Sequence, residues 1–247
     1  MNLFLDIETI PAQRPDVMEE IRSSCKADLE AALACVKAPA NYKDAEKIAE
    51  YVSAKQKDLQ AAHESEVEAA YRKTGLDGAF GQVCVIGWAM DDDEPQVLMD
   101  MNEGPLLRQF SDALRGIPAN EVFQTTVIGH NLAAFDLRFL TQRSIVNGVR
   151  PHPVIGRAAS AKPWEQEKVY DTMVQWAGVG GKISLDKLCK ALSIASPKSD
   201  LDGSKVWDYV QAGRIQEVAD YCKRDVQAVR SVFWRMTFQP IRVLEVA

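Results

Sequence analysis

The chain has no Cys-x-x-Cys pair. Its five cysteines, Cys25, Cys35, Cys84, Cys189 and Cys222, are scattered and odd in number, which argues against a disulfide framework or a thiolate zinc centre and for a reducing, cytoplasmic setting. No apolar run approaches the ~18 residues of a membrane span. The apolar pattern that begins at Leu3 is expected to leave no room for a signal peptide, so no membrane partner is expected. Internal repeats and low-complexity linkers are also lacking. What is present is a 247-residue chain with 47% apolar residues, ample for a folded core in one large or two small domains.

The net charge of −6 is a poor match to a nucleic-acid binder until it is divided along the chain. Residues 1–125 carry 12 Lys+Arg against 23 Asp+Glu, whereas residues 126–247 carry 17 against 12. A polyanion can therefore be met by the C-terminal half while the acidic excess lies elsewhere; uneven solvated surface with no partner is the plainer alternative.

Leu3 to Thr9 reads as a buried strand carrying carboxylates at Asp6 and Glu8. Side chains two apart on a strand share a face. Two like charges at the end of a buried strand are costly unless a cation sits between them, and a divalent ion with oxygen ligands is the usual answer. A strand that merely ends in solvated acids remains the alternative for this stretch alone. Pro11 and Pro15 then break the strand, Asp16 is placed to cap a helix to about Val36, and Asn41 with Asp44 resembles a capping box opening a helix to about Lys73. Residues 16–75 thus form a mainly helical, heavily charged insertion with an excess of carboxylates.

Gln82–Met90 and Gln96–Met101 read as a strand hairpin, followed by a helix over Pro105–Leu114. A strand from Val127 runs into the turn at Gly129, His130 and Asn131, with a helix starting close to Asp136; that places Asp136 at the mouth of a strand-to-helix turn. Residues 149–164, rich in Pro and Gly, read as a basic loop containing Arg150, Arg157 and Lys162. Asp171 reads as a structural cap after a short strand, and the glycines at 178, 180 and 181 as a turn, not a phosphate loop. Ser184 caps a further helix, and residues 196–203 read as a polar loop. From Gly213 a long helix carries a continuous apolar stripe, with Tyr221 and Asp225 one turn apart on its edge.

Taken together, Leu5-Asp6-Ile7-Glu8-Thr9, His130-Asn131 with Phe135-Asp136, and Tyr221-Cys222-Lys223-Arg224-Asp225 resemble the three motifs of the DnaQ-like 3′→5′ exonucleases, in the class that carries a tyrosine. The nearest resemblance is to stand-alone predicted exonucleases related to the proofreading domain of family B DNA polymerases. In the sister class a histidine stands five before the last aspartate, where this chain has Asp220. The resemblance implies an α/β, ribonuclease H-like mixed sheet flanked by helices, with antiparallel first strands and the helical insertion after the first of them. It implies a single exonuclease domain over 1–247, with 16–75 inside it.

The same resemblance implies the chemistry. Asp6 bridges two divalent cations, Glu8 and Asp225 complete the first site, Asp136 holds the second, and Tyr221 orients the attacking water. All-oxygen ligation favours Mg²⁺ or Mn²⁺ over zinc. Thr9, Asn131 and Phe135 fall at positions near the terminal nucleotide. The implied reaction releases nucleoside 5′-monophosphates from the 3′ end of nucleic acid, single-stranded DNA first and short RNA as the alternative. A catalytically weak accessory module that docks a replication or repair protein through its insertion is the reading from another class.

Overall fold

The computed structural model describes residues 1–197 and 200–240. The chain divides into two compact units: one joins Met1–Ile10 to the chain from Gln82 onward, the other is Pro11–Gly81.

The first unit is built on a five-stranded sheet in the order β3-β2-β1-β4-β5. Strand β1 (Asn2–Ile10) pairs antiparallel with β2 (Gln82–Met90), which pairs antiparallel with β3 (Gln96–Met99). On its other edge β1 pairs in parallel with β4 (Thr126–Gly129), which pairs in parallel with β5 (Val169–Asp171). This is the mixed, helix-flanked α/β sheet of a ribonuclease H-like fold. Leu3, Phe4, Leu5, Ile7 and Ile10 of β1 are buried, and they fall on both faces, as a central strand requires.

One face of the sheet packs against α3 (Glu103–Ala113), α4 (Asp136–Val146) and α5 (Pro153–Ala159) through Leu3, Leu5, Leu106, Phe110, Leu137 and Ile155. The other packs against α9 (Ile215–Met236), whose Val226, Val229 and Phe233 meet Phe4, Ala89 and Ile128. Helices α6 (Thr172–Ala177), α7 (Leu185–Ala191) and α8 (Val206–Gln211) contact α9. A buried ion pair, Arg143 to Glu103 at 2.7 Å, joins α3 and α4, and Glu103 also accepts from Val83 N and Asn147 Nδ2. A buried charge pair survives when its remaining hydrogen bonds are made, as they are here.

Several readings of the sequence change. Asn41 and Asp44 do not form a capping box: Asp44 itself holds the cap position of α2 (Ala45–Lys73), and Asn41 lies ahead of the helix. The loop expected over 149–164 contains α5: Pro153 stands at the first helical turn, where its missing N–H costs nothing. Asp16 does not cap α1 (Pro15–Cys35); Arg14 holds the cap position and Asp16 lies in the first turn, paired to Arg14. The polar loop expected over 196–203 includes residues 198 and 199, which lie outside the described residues.

The second unit consists of α1 and α2 (Ala45–Lys73). Asp44 caps α2 by accepting from Glu46 N and Lys47 N. Tyr71 Oη donates to Ala12 O, and Thr74 Oγ1 accepts from Ala12 N, closing the unit at its two chain ends. Each long helix buries few side chains: Val17 in α1, Val67 and Tyr71 in α2. No helix among the described residues is long and apolar enough to cross a membrane.

Candidate active site

The close seating of α9 on β1 and β2 starts at a glycine. A Cβ on Gly87 would lie 2.7 Å from Cys222 Sγ and 3.2 Å from Val226 Cγ2, so a bare backbone at this position lets the helix settle onto the strands. Gly87 stands opposite Asp6 in the β1–β2 ladder, and Glu8 stands opposite Val85. Immediately after Glu8 the register slips by a bulge, and Thr9 pairs with Val83. The apolar stripe of α9 through Val218, Cys222 and Val226 faces the sheet. Tyr221 and Asp225 on its edge are thereby brought into electrostatic reach of Asp6 and Glu8.

The fourth carboxylate arrives from the end of β4. The chain turns through Asn131, in the left-handed region at φ 61°, and Phe135 before α4 begins at Asp136. Asp136 Oδ1 accepts the Ile7 N–H at 3.1 Å, the amide between Asp6 and Glu8 in the chain. Asp171 holds the turn from below: it accepts from Asn131 N and Ala133 N while capping α6 through Met173 N and Val174 N. His130 is fully engaged, with Nδ1 against Thr172 Oγ1 and Nε2 against Ile183 O, both at 2.9 Å. Burial lowers its pKa, as suits a neutral bracket.

Glu8, Asp136 and Asp225 are buried, and Asp6 is half-buried. Burial first, then the charges of Asp225, Glu8 and Asp136, push the Asp6 carboxyl well above the carboxylate range. Burial and then Asp225 and Asp136 do the same to Glu8. Asp136 is pushed up to about 8 by burial, which outweighs the N–H groups it accepts. Burial lifts Asp225 to about 6 against the opposing Tyr221 phenol and Arg224 charge. The Tyr221 phenol is raised as well, by burial and then Asp225 and Glu8, and so is no base at neutral pH. Among the described residues no Lys or Arg forms an ion pair with any of the four carboxylates.

A donor set of this kind fits a divalent cation. Donor atoms of Asp6, Glu8 and Cys222 lie within 4.8 Å of one another. Asp225 Oδ1, buried, has no hydrogen-bond partner. An orphaned buried carboxylate oxygen beside two further carboxylates is a coordination position in search of a positive charge.

The structure therefore brings together Asp6, Glu8, Asp136, Tyr221 and Asp225. The three residues expected near a substrate are differently placed: Thr9 follows the bulge, Asn131 forms the turn, and Phe135 precedes Asp136 with its ring 5.5 Å from Phe139. Sequence reading assigned Cys222 no role at the site; its thiol donates to Asp6 Oδ2 at 3.3 Å. The available signal was its place between Tyr221 and Asp225, three residues before the aspartate.

No protein of curated function matches the chain. A family profile described as predicted 3′-5′ exonuclease related to the exonuclease domain of PolB matches residues 90–243, taking in Asp136, Tyr221 and Asp225 but not β1. With more than half its length matched and the mixed sheet in place, the chain belongs to this family of predicted 3′-5′ exonucleases and is an exonuclease by family.

Proposed function

We propose that the protein is a metal-dependent 3′→5′ exonuclease that removes nucleotides from single-stranded DNA as nucleoside 5′-monophosphates. The observation that carries this reading is the convergence of four carboxylates at β1, the start of α4 and the edge of α9, with no Lys or Arg among the described residues ion-paired to them. Asp6, Glu8 and Asp225 would hold one divalent cation and Asp6 with Asp136 a second. Bound Mg²⁺ or Mn²⁺ supplies charge stabilisation for an in-line displacement at phosphorus.

The chain's own residues do the rest. Asp136 takes an N–H from Ile7 and so fixes the spacing between the α4 turn and β1. Tyr221, with its phenol protonated beside Asp225, orients the attacking water and does not remove its proton. Phe135 stacks on the terminal base or sugar, and Thr9 and Asn131 position the terminal nucleotide. The basic half of the chain, including the exposed Arg138 and Lys162, follows the phosphates. Arg157 and Lys205 are less available for this: Arg157 donates to Thr125 O, and Lys205 to Asp200 O. Residues 1–247 act as one exonuclease domain in the cytoplasm, with 16–75 an insertion that serves as a lid or as a platform for a replication or repair protein.

The test is cleavage of 3′-labelled single-stranded DNA and RNA oligomers with Mg²⁺, Mn²⁺ or EDTA. Metal-dependent shortening from the 3′ end, faster on DNA, is expected. Cleavage that persists in EDTA would overturn the metal dependence, and preference for RNA would replace the substrate.

A further inference from the structure

Cys222 is the one cysteine among the described residues whose sulfur reaches a carboxylate of the site. Its Sγ lies 3.3 Å from Asp6 Oδ2 and 3.5 Å from Asp6 O. Cys84, on the neighbouring strand, faces only the backbone carbonyl of Glu8. The sulfur, an Asp6 oxygen and a Glu8 oxygen lie within 4.8 Å of one another, a span one cation can bridge. A second observation points to the same place: Asp225 is 8% exposed, its Oδ1 has no hydrogen-bond partner, and its charge acts on Asp6, Glu8 and Cys222 together.

The donor set is thus mixed, not all-oxygen. Mg²⁺ and Mn²⁺ select oxygen, whereas a thiolate adds affinity for Zn²⁺ and its heavier analogue Cd²⁺. We propose that Asp6, Glu8 and Cys222 form a binding site for a thiophilic divalent cation, Zn²⁺ or Cd²⁺, which displaces the hard cation and inhibits the exonuclease. On loading, the sulfur–metal bond forms as the S–H bond breaks and its proton passes to solvent. This inference rests on the exonuclease reading for its inhibitory consequence, but not for the binding itself.

The experiment uses the full chain carrying Cys25→Ser and Cys35→Ser, which removes the thiols of the helical unit. Cd²⁺ is titrated into the metal-free protein, and the ultraviolet thiolate-to-cadmium charge-transfer band is recorded. One thiolate-bound Cd²⁺ per chain is expected, with the band lost on adding Cys222→Ser. Zn²⁺ inhibition of Mn²⁺-supported cleavage, measured against each protein's own rate, should need about tenfold more Zn²⁺ in that variant. A band undiminished by Cys222→Ser, or none in the parent chain, overturns the site. Asp6→Asn with Cys222 intact should weaken the band as well and decides the matter if the serine variant fails to fold; an undiminished band there also overturns it. A Cys222-dependent band in a chain without metal-dependent cleavage would support the thiol site and sink the nuclease reading. Cleavage with a band independent of Cys222 would sink this inference alone.

Discussion

In the helical unit, residues 11–81, all thirteen Asp and Glu residues are exposed, among ten Lys and Arg. In the sheet unit, Glu8, Asp136 and Asp225 are buried, and among the described residues no Lys or Arg forms an ion pair with them. Water screens the first set, so each charge there contributes little either way. Burial holds each carboxyl of the second set above its ordinary range, and the charges of neighbouring carboxylates add to this at Asp6, Glu8 and Asp136. The same unit shows what a structural solution looks like: Glu103, equally buried, has Arg143 and two further hydrogen-bond donors around it. Compared with that pair, crowded carboxylates without an ion-paired Lys or Arg among the described residues are a site maintained at a cost in stability, which is what function would require.

The contrast is broken most severely by removing a carboxylate from the buried set. Asp6→Ala or Asp225→Ala should lower 3′-end cleavage on the order of 10³-fold or more, since several kcal/mol of charge stabilisation at the reacting phosphate goes with the cation. Folding should survive, because repulsion is relieved; near-normal turnover of either purified variant would end the assignment. Tyr221→Phe keeps the carboxylates and loses only water orientation, so ~10²-fold in rate at saturating metal is expected. An unchanged rate would remove that role from Tyr221.

Smaller effects belong to surface charge. Reversing Arg138 and Lys162 in a cleavage-dead Asp225→Ala chain should weaken oligonucleotide binding and flatten its salt dependence by about two phosphate contacts. Equal slopes in the two proteins would put the phosphate path elsewhere. Glu64→Gln with Glu66→Gln, both exposed on α2, should move stability by less than about 0.5 kcal/mol each. A larger shift in the melting curve would show that the helical unit's charges are not merely solvated.

Much of this contrast is legible in the sequence, for identifiable reasons. Strand period places Asp6 with Glu8, and helical period places Tyr221 with Asp225, so each pair follows from local geometry. Asp136 is legible as a residue at a strand-to-helix turn, but its hydrogen bond to Ile7 N spans 129 residues and no local pattern announces it. Cys222 was hidden in an apolar stripe because its role depends on the bare backbone of Gly87 across the helix–sheet contact. Helix α5 was masked by Pro153 and Gly156, which punctuate a loop as readily as they open or tolerate a short helix. The Glu103–Arg143 pair, 40 residues apart, needed the packing of α3 against α4 to appear.

Four carboxylates crowd together with no ion pair to a Lys or Arg among the described residues, and thermal melting against pH measures that crowding directly. Their folded pKa values lie above the ~3.9 to ~4.3 of unfolded Asp and Glu, about 6 for Asp225 and about 8 for Asp136. Their contribution to stability is therefore full below about pH 4 and is lost as pH rises through about 6 and then about 8. His130, with its lowered pKa, works in the opposite sense below about pH 6.5, so the comparison is made against Asp6→Asn/Asp136→Asn, which keeps the histidine. In EDTA the wild-type melting temperature should fall by at least about 5 °C relative to the double variant between pH 5 and pH 8, and Mn²⁺ at pH 8 should restore it in the wild type alone. Parallel pH profiles, with no stabilisation of the wild type by Mn²⁺, would contradict the account.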